Sequence, residues 1–579
     1  MNIAKSKTIK KYNKTYFRRR ELRHLGWTDK MIASFLPPPR NGAKEKPPRP
    51  KEYWLKKDLL AAMESEKFLK FYSALKREDQ KRRAKDLLPV LSALPETIPE
   101  LYPAARRIYR HFILHMGPTN SGKTFAAKQR LKAADNGLYL GPLRLLAYEV
   151  CSELREGGVL CSLVTGEEED VIPGASVQAS TIEMADLYKS YDIAVIDEGQ
   201  MIADRERGGS WTKAILGLCA NEIHICFAPQ AKDVIISLID SCNDTYEIIE
   251  HERLVPLIQE NKQFRFPQDL EEGDALIVFS RRDVHACAAE LKELQIPCSI
   301  VYGNLPYDVR HREAEKFAAG DTKVVVATDA IGMGMNLPIK RVVFLKLEKF
   351  DGVSRRELFP EEVRQIAGRA GRFGKYDEGF FTCCESPEKL KALFYCKDNN
   401  ITNVAVSFPE TLLGIEGPIS DTIRKWNKIQ LPAGFVRQNM DEILKLVLQL
   451  EKKTDDKELI YRLAMLPFDI ENQTQLAVWR DICDAEINGA HFCFPPQDVS
   501  SDLERLEMLY KKYDLLGNYY RVFGTEEELI DVLREKLIIS KRISKLLEKQ
   551  PYAEKHCKYC KKKLSFFYPY SVCKNCRYT

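Results

Sequence analysis

Apolar and polar positions change rhythm several times along this chain. Near the start, Leu22, Leu25, Ile32 and Phe35 recur at helical spacing around Gly26-Trp27-Thr28, which predicts helix within residues 1–36. A proline-rich stretch follows, from Pro37-Pro38-Pro39 through Pro47-Pro48 to Pro50. Proline lacks the N–H and the torsional freedom that a regular element needs, so this stretch reads as a linker. Residues 51–110 return to the texture of charged amphipathic helices.

From residue 111 short apolar runs alternate with helical stretches. The first set is Phe112-Ile113-Leu114, Leu138-Tyr139-Leu140, Ile193-Ala194-Val195-Ile196 and Ile223-His224-Ile225-Cys226-Phe227. After residue 270 the pattern restarts with Ala275-Leu276-Ile277-Val278-Phe279, Cys298-Ser299-Ile300-Val301-Tyr302, Lys323-Val324-Val325-Val326-Ala327 and Arg341-Val342-Val343-Phe344-Leu345. Near-continuous apolar strands between helices predict parallel sheets covered on both faces. Two such blocks predict two α/β lobes, at 111–255 and 256–400, behind a basic arm with its linker (1–50) and a helical region (51–110). Residues 401–550 are mostly helical in pattern, and 551–579 are rich in Cys and Lys.

The chain's 579 residues leave room for three or four domains. Hydrophobic and charged contents of 44% and 30% are ordinary for a globular protein. No apolar run approaches the roughly eighteen residues of a membrane span, and the N-terminus has no signal-peptide apolar core. The expectation is therefore no membrane and no secretion. The net charge of +6 is unevenly spread: residues 1–50 hold fourteen Lys/Arg against Glu21, Asp29 and Glu45, a local +11 that leaves −5 for the rest. Such an arm suits nucleic acid, by releasing counterions from phosphates, and equally a solvated tail. With no acid in residues 1–20 it also has the character of a mitochondrial presequence. The compartment expected is cytoplasmic, with mitochondrial as the alternative. Twelve of the sixteen cysteines are scattered through apolar stretches, as buried free thiols are.

The chemistry begins at Gly117-Pro118-Thr119-Asn120-Ser121-Gly122-Lys123-Thr124, which fits the phosphate-loop pattern G-x-x-x-x-G-K-[ST] at every fixed position. A strand precedes it and a helical pattern starts near Phe125. Glycines let backbone N–H groups approach phosphates, and the helix N-terminus adds a favourable dipole. Lys123 is expected on the β/γ-phosphates and Thr124 on Mg²⁺. Asp197-Glu198-Gly199-Gln200 closes an apolar strand 74 residues beyond that lysine. There Asp197 is expected to hold Mg²⁺, and Glu198 to orient and deprotonate the attacking water. Gln365-Ile366-Ala367-Gly368-Arg369-Ala370-Gly371-Arg372 sets two guanidinium groups three residues apart, read as one helical face, with glycines that permit close backbone approach. Arginine against developing phosphoryl charge accelerates hydrolysis roughly 10³–10⁵-fold. Gln365, Arg369 and Arg372 complete a catalytic set shared by two domains closing on one ATP.

This set resembles superfamily-two DExH-type RNA helicases, and within them the Suv-three-like helicases of the mitochondrial RNA degradosome and their bacterial relatives. Further segments carry the likeness: Gly141-Pro142-Leu143-Arg144, Val164-Thr165-Gly166-Glu167-Glu168, Ser180-Thr181-Ile182-Glu183-Met184, Tyr302-Gly303-Asn304-Leu305-Pro306, and Thr328 through Met333-Gly334 to Asn336. The resemblance covers about residues 111–400 and extends more weakly to about 485. It implies two tandem RecA-like lobes with flanking helical domains, and ATP and Mg²⁺ as cofactors. It also implies an RNA partner, single-stranded or with overhangs, and an exoribonuclease partner. Arg144, Thr165, Gly166, Thr181 and Thr328 would line the RNA path, where hydroxyls, N–H groups and an Arg contact backbone without reading sequence. Asp329 and Gly332 would link that path to the nucleotide. Two positions depart from the family: Gly199, where a bulky aliphatic is usual, and Phe227-Ala228-Pro229-Gln230, where Gly-Glu-Pro-Ala is usual. The second departure bears on the coupling of hydrolysis to strand separation.

At the far end, Cys557-x₂-Cys560-x₁₂-Cys573-x₂-Cys576 has the spacing of a four-thiolate Zn²⁺ ribbon. A tail this short cannot build a core, and metal binding would supply its folding energy. Lysines interleaved with Phe566, Phe567, Tyr568 and Tyr570 suit single-stranded RNA or protein docking. The function expected is an ATP-dependent RNA helicase or translocase. A DNA-tracking helicase and an RNA-binding ATPase switch without strand separation are the alternatives.

Overall fold

The computed structural model describes residues 16–40, 52–166, 169–332, 335, 337–351, 354–372, 374–397, 399–494, 502–549, 556–564 and 572–577. Part of the basic arm, most of the proline-rich linker, Glu167-Glu168, Met333-Gly334, Asn336 and the tail aromatics Phe566, Phe567, Tyr568 and Tyr570 lie outside them.

The chain divides into two compact units, residues 1–94 with 425–429, and residues 95–424 with 430–579. In the first, helical periodicity near the start resolves into Arg19–His24 and Asp29–Phe35, broken at Gly26, whose φ of 86° is a left-handed turn that favours glycine. Thr28 caps the second of these, its hydroxyl accepting from the Met31 N–H at 3.2 Å. The helices Lys56–Glu64 and Glu66–Ala93 follow. The core gathers on Trp27, stacked on Phe68 at 5.1 Å, with Trp54, Leu22 and Leu59.

In the second unit the apolar runs become two parallel sheets. The first sheet runs in the order Thr245–Glu250, His111–Met116, Cys219–Phe227, Ser190–Ile196, Gly137–Gly141, Val177–Thr181, Cys161–Val164, Glu169–Asp170. Only its last pair is antiparallel. The second sheet runs Leu257–Gln259, Gly379–Cys383, Arg341–Phe344, Asp274–Ile277, Val324–Ala327, Cys298–Val301, parallel throughout. Both carry fully buried Val, Ile and Leu, as strands covered on two faces do. The chain passes from one sheet to the other within residues 251–256.

Beyond the second sheet the helical expectation meets an exception. Val404–Val406 and Phe435–Arg437 pair as short parallel strands, and Val404 joins the core of the first lobe. Gly209 allows this return: a Cβ there would lie 2.2 Å from Ser407 Oγ and from Gln438 Oε1. The long helices Leu503–Phe523 and Glu526–Lys549 then pack against each other.

Candidate functional site

The loop 117–122 leaves the carboxyl end of strand His111–Met116 and opens the helix Lys123–Leu131. Asn120 and Gly122 take left-handed φ values of 59° and 80°, which turn successive backbone N–H groups toward one side. Gly117 is required sterically, since a Cβ there would sit 2.3 Å from the His251 carbonyl. The Lys123 ammonium donates to the Gly117 and Pro118 carbonyls, each at 2.6 Å, and burial lowers its pKa. The Ser121 hydroxyl is buried at 3% exposure and finds no hydrogen-bond partner among the described residues. A cradle that admits no side chain, an orphaned hydroxyl and a half-buried ammonium fit a phosphate chain.

Asp197 follows strand Ser190–Ile196 and accepts from Thr124 Oγ1 at 3.2 Å, from the Tyr139 hydroxyl at 2.9 Å and from the Glu198 N–H at 2.9 Å. Burial, and then the charge of Glu198, push its carboxyl above the ordinary range. Such a carboxylate paired with a threonine hydroxyl fits a divalent cation. Glu198 itself holds a left-handed backbone, φ 52°, uncommon for a residue with a side chain and characteristic of strained functional turns. Gln200 donates to the Glu198 carboxylate and accepts from the Ala228 N–H at 3.1 Å. The departing segment 227–230 thus meets the acidic box through a backbone N–H, which any residue but proline supplies. Gly199 is accounted for as well: a Cβ there would lie 2.9 Å from Ile225 and 3.1 Å from Phe227.

The arginine loop differs from its expected form. The helix Pro360–Ala367 ends before it, Gly368 caps it, Ala370 bridges to Ile339, and Gly371 takes φ 72°. Arg369 and Arg372 therefore stand on a turn, not on a helical face. The left-handed Gly371 then keeps a right-handed helix from resuming through Arg372. Gly368 abuts the phosphate loop, and its Cβ would lie 2.9 Å from the Thr119 Cβ. The Asn120 amide donates to the Gly368 carbonyl at 2.8 Å. Arg369 donates through Nε to the Gly332 carbonyl at 2.9 Å, and burial lowers its pKa. One cavity of about 730 Å³ is lined by Lys123, Thr124, Asp197, Glu198, Arg369 and Arg372. Gln365 stands beside Gly332, its Cγ 3.6 Å from where a Cβ would be. Asp329 lies apart, paired with Lys349 at 2.9 Å.

Residues 99–251 match the family model described as the DEXQ-box helicase domain of Suv3, and residues 257–374 match the helicase conserved C-terminal domain. Together the two matched stretches resemble a DEXQ-box helicase module, with the Suv3 likeness carried by residues 99–251. Gln200 is the fourth letter of that box. Among curated relatives, the mitochondrial ATP-dependent RNA helicase SUV3 of Oryza sativa is 45% identical over 49% of this chain and 50% of its own length. The mitochondrial DExH-box ATP-dependent RNA helicase DExH16 of Arabidopsis thaliana is 43% identical over 49% of this chain and 50% of its own. Human mitochondrial SUPV3L1, an ATP-dependent RNA helicase, is 39% identical over 52% of this chain and 41% of its own. The chain spans about half or less of the length of these relatives.

Within the helicase module, Arg144 opens helix Arg144–Glu156 with its guanidinium 5.3 Å from the Tyr307 ring centroid in the second lobe. Thr165 follows strand Cys161–Val164, Thr181 ends strand Val177–Thr181, and Thr328 follows strand Val324–Ala327. All stand at carboxyl strand ends, where open α/β sheets bind ligands. The sequence motifs did not reveal what covers them. Helix Leu503–Phe523 spans both lobes. Its Glu507 accepts from the Tyr302 hydroxyl at 2.7 Å and pairs with Arg281 at 3.2 Å. Near the other end, Arg521 donates to the Thr165 carbonyl, and Asn518 Oδ1 lies 3.5 Å from where a Gly166 Cβ would be. Thr165 is accordingly only 1% exposed. No motif spacing carries such contacts, which join residues more than 200 positions apart.

The four tail cysteines bring their sulfur atoms within 4.8 Å of one another. The Cys573 N–H donates to Cys557 Sγ at 3.2 Å and draws that thiol's pKa down to about 6, which favours the thiolate a metal needs. Among the described residues no helix is long and apolar enough to cross a membrane.

Proposed function

We propose that this protein is an ATP- and Mg²⁺-dependent RNA helicase or translocase. The observation that carries the reading is the single cavity lined by the phosphate loop, the acidic pair and both arginines. In this reading Lys123 and the loop N–H groups bind the β/γ-phosphates, and Thr124 with Asp197 holds Mg²⁺, which neutralises phosphate charge. Glu198 orients water for in-line attack and takes its proton. Arg369 and Arg372 face the charge that develops on the phosphoryl oxygens. Gln200 passes changes at Glu198 to Ala228, and Arg369 joins the nucleotide to Gly332 and so to the strand end that bears Thr328. RNA crosses both lobes past Arg144, Gly166 and Thr181, while Thr165, buried beneath Arg521, supports that path from behind. Names of the relatives favour RNA over DNA and the mitochondrial alternative over the cytoplasmic one. RNA turnover beside an exoribonuclease is the setting implied by likeness to degradosome helicases.

A strand-displacement assay with RNA, DNA and hybrid duplexes carrying 3′ or 5′ overhangs tests this reading. ATP-dependent displacement from RNA-overhang duplexes is expected. ATP turnover stimulated by RNA without any displacement would leave only a switch, and preference for DNA overhangs would make it a DNA-tracking enzyme.

The tail cluster would hold one structural Zn²⁺ through Cys557, Cys560, Cys573 and Cys576, supported by four sulfurs at closing distance. Metal analysis of the purified chain should return about one zinc per molecule. Zinc-free protein with four titratable thiols would refute it.

A further inference from the structure

Residues 251–256 do more than connect two sheets. The Leu254 N–H donates to the Asn120 carbonyl at 3.3 Å, and Leu254 Cδ1 lies 3.4 Å from where a Gly122 Cβ would be. The Val255 side chain lies 2.9 Å from where a Gly371 Cβ would sit. Between them, Arg253 sends its guanidinium into three separate stretches of backbone. Nη1 donates to the Thr119 carbonyl at 3.1 Å and the Gly368 carbonyl at 3.0 Å, Nη2 to the Ala370 carbonyl, and Nε to the Val255 carbonyl at 2.7 Å. Thr119 belongs to the phosphate loop, while Gly368 and Ala370 are the two neighbours of Arg369.

We propose that Arg253 is a positioning residue for ATP hydrolysis, pinning the phosphate loop of one lobe to the arginine loop of the other. The inference rests on the ATPase reading above. Three features of the site carry it. Among the described residues its hydrogen-bond partners are all carbonyl oxygens, so the cation is held by backbone dipoles. Burial pushes its guanidinium down to about 10, and it remains charged at neutral pH. A half-buried cation held by carbonyls carries a desolvation cost, but here it adjoins a loop shaped for a polyanion. The second feature is geometry. A planar fork reaches carbonyls of both loops at once, which a lysine ammonium cannot do with the same directional match. The third is what the pinned atoms neighbour: fixing the carbonyls on both sides of Arg369 fixes the backbone from which that side chain is aimed. Misplacement by about 1 Å costs on the order of 10²-fold in rate. The Gly368 carbonyl takes donors from Asn120 and Arg253 together, at 2.8 and 3.0 Å. P-loop, linker and arginine loop thus converge on one oxygen.

The test compares full-length Arg253→Gln and Arg253→Lys with the parent in steady-state ATP turnover on single-stranded RNA. ATP binding and melting temperature are measured on the same samples. Expected is a kcat lowered about 10- to 100-fold in both variants, with KM for ATP within about threefold and RNA affinity unchanged. Lysine should fail to rescue, because it keeps the charge but not the fork. Arg341→Lys is the control for a purely structural arginine. It loosens a buried pair with Asp274 and should lower the melting temperature while leaving kcat within about twofold. Should Arg253→Gln not fold, Arg253→Lys decides alone. A kcat within about twofold of the parent in Arg253→Lys, or a raised KM at unchanged kcat, overturns the proposal. A parent chain with no RNA-stimulated turnover would instead overturn the ATPase reading, so the two failures are distinguishable.

Discussion

The first lobe brings to the cleft charged groups whose partners are its own. Lys123 is held by carbonyls of its loop, and Asp197 by Thr124, Tyr139 and the Glu198 N–H. The second lobe brings cations on a glycine-laced turn, whose position depends on neighbours outside its sheet. Gly368 touches Thr119, and its carbonyl is held by Asn120 and Arg253. One edge is internally braced. The other becomes a site only when docked on the first. Nucleotide binding should therefore belong largely to the first lobe, and rate acceleration to the contact between lobes.

The sharpest way to break that comparison is to disable the second edge alone. Arg369→Ala with Arg372→Ala should lower kcat about 10³-fold while ATP affinity changes only a few-fold. Gly368→Val should give the same signature more weakly, because its side chain would push against Thr119 without removing a charge. Equal losses of affinity and turnover, measured by nucleotide titration and steady-state kinetics, would erase the distinction between the edges.

A smaller effect concerns the floor of the first lobe. His115 sits between His251 at 3.0 Å and His224 at 2.9 Å, and the chain of contacts runs on through Glu222 to Arg130. Burial first, and then the two neighbouring imidazoles, lower the His115 pKa from 6.5 to about 4. The unfolded chain thus takes up a proton in this window before the folded protein does. Stability is full above about pH 7 and is lost as pH falls from 6.5 toward 4. The loss from this group is roughly 1–2 kcal/mol after solvent screening. Thermal melts at pH 7.5 and 5 should show it, and His115→Gln should flatten the difference. A melting temperature that rises on acidification would contradict the neutral buried state.

Much of this was legible in residue order. The apolar runs at 112–114, 193–196 and 223–227 are strands of one parallel sheet, because continuous apolar segments must be buried on both faces. The phosphate loop was legible because its chemistry needs glycines, Lys and Thr at fixed spacing. The turn that carries Arg369 was misread as helix. A run such as Gln-Ile-Ala-Gly-Arg-Ala has good helix formers on both sides of Gly368, and only the packing of Gly371 against Gly379 and Val255 shows where the helix must stop. Arg253 had no signal at all, since backbone carbonyls as partners leave no trace in side-chain identity. The same holds for Gln200, whose contact with Ala228 makes the altered 227–230 segment a smaller departure than its letters suggest. Arg521 and Glu507 were hidden by distance along the chain.

ATP turnover by Lys123→Ala, with and without single-stranded RNA, addresses the central claim most directly, because Lys123 is the one cation the first lobe contributes from its own loop. RNA-stimulated hydrolysis should vanish while the variant still binds RNA with near-parent affinity. Turnover at the parent rate would contradict a nucleotide seated on that loop, and with it the motor built around it.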